Sequence, residues 1–234
     1  MVKSWLLRFP WLYEVVQRAR DQAYFVDARK KGSFAQHGED RILLELLRAA
    51  KATGPFVDVG CNHPVKLSNS FLLYLEGFRG LCIDPLPRFR PLYARWRPAD
   101  RFVCSAIGLS NGQMPLYEFE SDVLSTLDAG LAERYRQAGY KMLREATTTV
   151  STLDAALEAN RLTPPLSLLS VDIEGYELQA LQSIDLDHWR PALICLEAVT
   201  ADGSTNRAPA EHLLARSYVE IKNLGLNVIF KRAG

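Results

Sequence analysis

The sequence predicts one α/β domain built on a doubly wound, mostly parallel sheet with helices on both faces. Two observations carry that prediction. Short apolar runs alternate with helix-like stretches along the chain, and the runs end in acids, at Asp58, Asp84, Asp172 and Glu197. A buried parallel strand reads as a continuous apolar run, and its carboxyl end opens on the crevice where such sheets bind ligands. The size agrees, since 234 residues with 48% hydrophobic content bury a full core and suit one domain better than two.

Charge and cysteines narrow the class. With 28 Lys+Arg against 27 Asp+Glu, the formal charge of +1 gives no global field for nucleic acid, and no nucleic-acid partner is expected. Cys82, Cys104 and Cys195 lie inside apolar runs and no pair has C-x-x-C spacing, which favours core packing in a reducing, cytoplasmic setting. Cys61 sits in the turn after the opening strand, where it either lines a pocket or packs beside the turn.

The aromatic-rich end from Met1 to Tyr13 is interrupted by Arg8, Pro10 and Glu14, too early for a signal peptide or a spanning helix. Such an end suits a membrane surface, a partner subunit as in a homodimer, or its own domain. From Tyr13 to Lys31 the apolar residues keep near-helical spacing until Gly32, so residues 1–32 read as a helical lead-in to a single domain over 33–234.

The polar stretch Ser33 to Asp40 feeds an amphipathic helix carrying Ile42, Leu43, Leu46 and Leu47, with Glu39 and Asp40 read as caps that complement its dipole. After Thr53-Gly54-Pro55, the run Phe56-Val57-Asp58-Val59-Gly60 is the opening strand. Ser68-Asn69 then cap a short helix that Gly77 closes. Phe78 to Pro85 is a second strand ending in Asp84, placed to bind the two hydroxyls of a ribose. A helix with the stripe Phe89, Leu92, Tyr93 and Trp96 leads to a third strand over Arg101–Gly108, whose end closes the adenine side of such a site.

Met114 to Phe119 reads as an edge strand after a turn at Asn111-Gly112. Periodicity weakens from Val123, and a helix is expected within 128–146 as part of an inserted substrate-contacting surface. A helix opened by Ser151 or Thr152 follows, ended by Thr163-Pro164-Pro165. The buried run Leu166–Val171 then delivers Asp172, Glu174 and Glu177 into one turn before a further helix. Pro191–Glu197 is a fifth strand, 200–207 a polar loop, and Tyr218–Ile221 with Leu226–Phe230 a terminal hairpin. No repeat or low-complexity segment occurs.

The turn after the first strand selects the ligand. A dinucleotide needs G-x-G-x-x-G, and here Gly60 is followed by Cys61-Asn62-His63-Pro64; no G-x-x-x-x-G-K-[ST] loop occurs either. A ligand with a ribose and an amino acid but no phosphate suits an acid-rich crevice, because an ammonium is attracted where a phosphate is repelled. S-adenosylmethionine has that chemistry.

At these residues the chain resembles the FkbM-type methyltransferases, which use S-adenosylmethionine to methylate hydroxyls of sugars and related metabolites. The likeness rests on Gln36-His37-Gly38-Glu39-Asp40, Val57-Asp58-Val59-Gly60, Asn62-His63-Pro64, Ser68-Asn69-Ser70, Gly80 to Pro85, Ser105 to Gly108, Val171 to Glu177 and Arg190 to Glu197. It implies a class I, Rossmann-like sheet of seven strands whose last two form the antiparallel hairpin. On this sequence it implies that Asp58, Gly60 and Asn62 hold the methionine end, Asp84 the ribose, and Ala106 and Ile107 the adenine. Gln36, Asn69, Pro85 and Asp172 complete that cofactor set.

For catalysis, Asp172, Glu174 and His63 are the candidates to take a proton from an acceptor hydroxyl, with rate coming mainly from aligning two bound reactants. Asp172, Glu174 and Glu197 alternatively hold a divalent cation; no metal ligand is assigned. The acceptor expected is a small molecule or glycan. A non-catalytic cofactor-binding partner in a glycan or natural-product assembly complex is the competing reading, motivated by the aromatic amino-terminal end.

Overall fold

The computed structural model describes residues 10–199, 203 and 205–233. Residues 1–9, with most of the aromatic end, lie outside the described residues, as do 200–202 and 204 of the polar loop. In chain order the elements are α1 (Pro10–Lys31), α2 (Glu39–Ala49), β1 (Phe56–Val59), α3 (Phe71–Leu75), β2 (Gly80–Ile83), α4 (Arg90–Trp96), β3 (Arg101–Val103), β4 (Ala106–Ile107) and β5 (Gly112–Phe119). Then come α5 (Ala129–Gln137), β6 (Met142–Ser151), α6 (Leu153–Ala159), β7 (Leu168–Val171), α7 (Glu177–Gln182), α8 (Leu186–Trp189), β8 (Leu193–Glu197), α9 (Ala208–Leu214), β9 (Tyr218–Asn223) and β10 (Asn227–Arg232).

The main sheet has seven strands in the order β3-β2-β1-β7-β8-β10-β9. β3, β2, β1, β7 and β8 are parallel neighbours, and β10 and β9 close the sheet antiparallel. The chain order reverses between β1 and β7, the switch point where ligands bind in open α/β sheets. Successive side chains go to opposite faces: Val57, Val59, Leu169 and Val171 join one core, and Phe56, Cys82, Leu168 and Cys195 the other. Burial on both faces is why these strands are apolar throughout rather than alternating.

The expected third strand is two. Arg101–Val103 pairs with β2, but Ala106–Ile107 leaves the main sheet to pair with β6 in a three-stranded sheet of order β4-β6-β5. β5 is an edge strand, as its turn residues suggest, but of this second sheet. The helix expected within 128–146 is α5, which ends at Gln137, and the rest of that stretch runs into the strand Met142–Ser151. The threonines and Val150 there favour the extended state once β5 supplies a hydrogen-bonding partner. The short helices α8 and α9 had no sequence signal. The four cysteines are free, with Cys61 buried.

The lead-in helix packs on the domain. Phe25 meets the rings of Phe34, Phe71 and Trp96, and buried Asp21 pairs with Lys66. Glu39 and Asp40 are more than surface caps, for both are wholly buried. Asp40 accepts hydrogen bonds from the Ser33 hydroxyl and the Phe34 amide, each at 2.6 Å, and Glu39 accepts from the His37 amide and from Asn227 on β10. They pin the 33–38 loop to the helix start.

Gly60 sets the geometry where β1 ends. Its φ is 77°, and a Cβ there would stand 1.7 Å from the Asp172 carbonyl oxygen. Both the backbone conformation and the space require glycine. Gly60→Ala is therefore expected to lower the unfolding free energy by about 3 kcal/mol or more, read from urea denaturation. A loss below about 1 kcal/mol would show that the β1 and β7 ends separate easily.

Candidate active site

A cavity of about 520 Å³ opens at the carboxyl edge of the sheet, a size usual for small-molecule sites. Gln36, Asp58, Gly60, Asn62, Asn69, Asp84, Pro85, Ala106, Ile107, Asp172 and Glu174 all line it. The strand ends bring these together because β1, β2 and β7 are adjacent and in parallel register. The turn after β1 is tied to β2 on both sides: the Gly60 and Cys61 amides donate to the Ile83 carbonyl, and the Asn62 amide donates to Asp84 Oδ2 at 3.0 Å.

Asp84 also accepts from the Leu86 amide at 2.8 Å through Oδ1. Each oxygen keeps a further lone pair for a ligand hydroxyl. Burial pushes its carboxyl up to about 7, against the lowering pull of those two amides. Asp58 is held differently. It accepts from the buried Ser70 hydroxyl, which in turn accepts from Arg97 Nη1 at 3.0 Å. Arg97 is completely buried, paired with Asp100 through Nε at 2.8 Å, with its guanidinium 5.3–5.6 Å from the rings of Phe56, Tyr74 and Tyr93. Desolvation by burial raises the Asp58 carboxyl, opposed by Ser70 and Arg97.

At the other end of the cavity, Asp172, Glu174 and Glu197 bring carboxylate oxygens within 4.8 Å of one another. Burial, then the neighbouring acids, push Asp172 up to about 8 and Glu197 further up. This pair therefore carries a proton at neutral pH. Such an oxygen set is also of the kind that holds a hard divalent cation. Glu174 and Gly175 are consecutive left-handed residues, and Glu177 steadies their turn by accepting from the Ile173 and Gly175 amides.

The inserted segment reaches the site in a way the sequence did not show. Asp122, Val123 and Ser125–Leu127, at the start of that segment, line the cavity. The Thr126 hydroxyl donates to the Glu174 carbonyl at 2.7 Å, and the Tyr135 hydroxyl from α5 donates to the Glu174 carboxylate. Arg88 clamps the segment from below through Glu118 and Asp122. Neither Tyr135 nor Arg97 has a motif around it, so only their packing reveals them.

His63 is not brought to the cavity. Its Nδ1 accepts from the Val65 and Lys66 amides at 3.1 Å each, and Nε2 faces Asp21 at 3.5 Å. The imidazole is turned under α1, where it shapes the loop instead of meeting a ligand. This corrects its candidacy as a base.

The profile described as "Methyltransferase FkbM domain" matches residues 58–220. No curated protein matches the chain. Among similar solved structures is a TehB-like SAM-dependent methyltransferase from Corynebacterium glutamicum, 13% identical over 92% of this chain and 99% of that chain, with a TM-score of 0.45. A methyltransferase from Geobacter sulfurreducens is 12% identical over 91% of this chain and 87% of that chain, with a TM-score of 0.46. The 1,6-didemethyltoxoflavin-N1-methyltransferase of Burkholderia thailandensis, with bound 1,6-didemethyltoxoflavin and S-adenosylhomocysteine, is 13% identical over 95% and 89%, with a TM-score of 0.41.

Burial lowers the His63 imidazole to about 4. A depressed folded value means that the folded state resists protonation, so His63 withdraws stability as pH falls from about 6.5 toward 4. An NMR titration is expected to show a neutral ring down to about pH 5; a midpoint near 6.5 would place the ring in solvent.

Proposed function

Since this chain belongs to the FkbM methyltransferase family, we propose that it is an S-adenosylmethionine-dependent O-methyltransferase acting on a hydroxyl of a sugar, glycan or related metabolite. The observation that carries the reading is a single cavity with two chemically different ends. One has Asp84 beside a glycine turn that offers no phosphate cradle, and the other has the half-buried carboxyl group of Asp172 among further acids.

The chemistry of the lining fits the donor. Asp84 has free lone pairs for ribose hydroxyls, Ala106 and Ile107 give an apolar wall for a base, and Asp58 with the Gly60–Asn62 turn suits an amino-acid end bearing an ammonium. When bound, the donor supplies a methyl group on a sulfonium sulfur, which an acceptor hydroxyl displaces in line. The chain's own contribution is alignment of the two reactants and a place for the hydroxyl proton. Asp172 takes that proton in this reading. Its raised carboxyl is neutral in the empty site at pH 7, and a neighbouring cationic donor favours the ionised form that can act as base.

Calorimetry is expected to show S-adenosylmethionine binding that Asp84→Ala weakens by about tenfold or more, the loss of two charge-assisted hydrogen bonds. Absence of binding at millimolar donor would end the reading, and binding without labelled-methyl transfer to any glycan or metabolite tested would favour a scaffolding role.

The base assignment gives a pH signature. The ionised, active form of Asp172 gains population as pH rises, so with donor saturating, kcat/KM for the acceptor is expected to climb at a midpoint below the empty-site value of about 8 and then level. Asp172→Asn should remove that climb and lower turnover by about 10²-fold or more, far more than it lowers donor affinity. An unaltered profile would exclude Asp172 as the base.

A further inference from the structure

A second cavity, of about 330 Å³, adjoins the first, and Gln36 and Leu67 line both. Its other walls are the last turns of α1, the 33–38 loop and Arg41 on α2. Apart from Leu67, every residue lining it precedes position 58, where the family match begins.

Its charge is opposite to that of the methyl-transfer end. Lys31 and Arg41 line it against a single acid, Asp27, and Asp27 is already paired with Lys31 at 2.7 Å. Arg41 has no ion-pair partner among the described residues. The guanidinium lies over Gly38, where φ is 83° and a Cβ would come within 3.1 Å of Nη2. Glycine at 38 thus leaves room for the fork to lie along the loop. His37 adds an imidazole to the same rim. The adjacent acids, Glu39 and Asp40, are wholly buried with their hydrogen bonds running to Ser33, Phe34, His37 and Asn227, so neither is paired with the Arg41 guanidinium.

From this arrangement we infer that the second cavity binds an anionic group carried by the acceptor, a phosphate or a carboxylate on the sugar, with Arg41 as its ligand. The inference rests on the methyl-transfer reading of the first cavity. Gln36 and Leu67 mark the passage between the reacting hydroxyl and the anion. A guanidinium presents paired N–H donors that match both phosphate and carboxylate oxygens. Seating the anion here also keeps it away from the Asp172, Glu174 and Glu197 cluster, which would repel it. The amino-terminal helix acquires a role as one wall of the acceptor site.

The test compares sugar 1-phosphates, uronic acids and the matching neutral methyl glycosides, by titration into the full chain saturated with S-adenosylhomocysteine. At least one anionic class is expected to bind about tenfold or more tighter than its neutral counterpart. Arg41→Ala should abolish that difference, Arg41→Lys should restore part of it, and donor affinity should not change in either. The phosphate and uronic acid arms identify which anion is recognised. Equal binding of neutral and anionic sugars, failure of every anionic sugar to bind, or indifference to Arg41→Ala would overturn the inference. Failure of the methyl-transfer reading appears separately, as loss of binding by S-adenosylmethionine itself.

Discussion

The approach of the Gly60 backbone to the Asp172 carbonyl is the constraint on which the site depends. With no room for even a methyl group at position 60, the ends of β1 and β7 are locked side by side. The turn that follows β1 can then reach over to β2, where Ile83 and Asp84 receive its amides. Both ends of the cavity are thereby referenced to one backbone contact. An acid on β2 and an acid on β7 come to face a common volume although the chain separates them widely.

Beneath that contact lies a buried cation. Arg97 is an uncommon residue to find with no exposure, and it is stabilised by Asp100, the Ser70 hydroxyl and three aromatic rings. A buried charge without such partners is strongly unfavourable, so the surrounding residues are held in one arrangement. Tyr93, one of those rings, also donates to the Cys61 carbonyl in the turn above at 3.2 Å. The glycine turn and Asp58 are thus supported from the core, while the Thr126 and Tyr135 hydroxyls fix Glu174 from the inserted segment.

The acids of the cavity divide by environment. Asp84 faces donors that favour its ionised form, whereas Asp172 and Glu197 meet other carboxyl groups that oppose ionisation. Burial raises both carboxyl groups toward neutral pH, and what separates them is their neighbours: two backbone amides at Asp84, other carboxyl groups at Asp172.

The sequence by itself determined the parallel core and the strand-end acids, because a strand buried on both faces must be apolar up to the point where it meets the ligand crevice. It also determined the terminal hairpin and the glycine at position 60, each visible in local pattern. The tertiary structure alone decided that Arg101–Val103 and Ala106–Ile107 belong to different sheets, since strand pairing depends on distant partners rather than on the run itself. It likewise turned His63 beneath α1, recruited Tyr135 to Glu174 and buried Arg97 under Asp58, contacts joining residues whose spacing along the chain carries no period. Local composition records which faces are buried, but which side chains meet across the core is settled only when the strands have found their order.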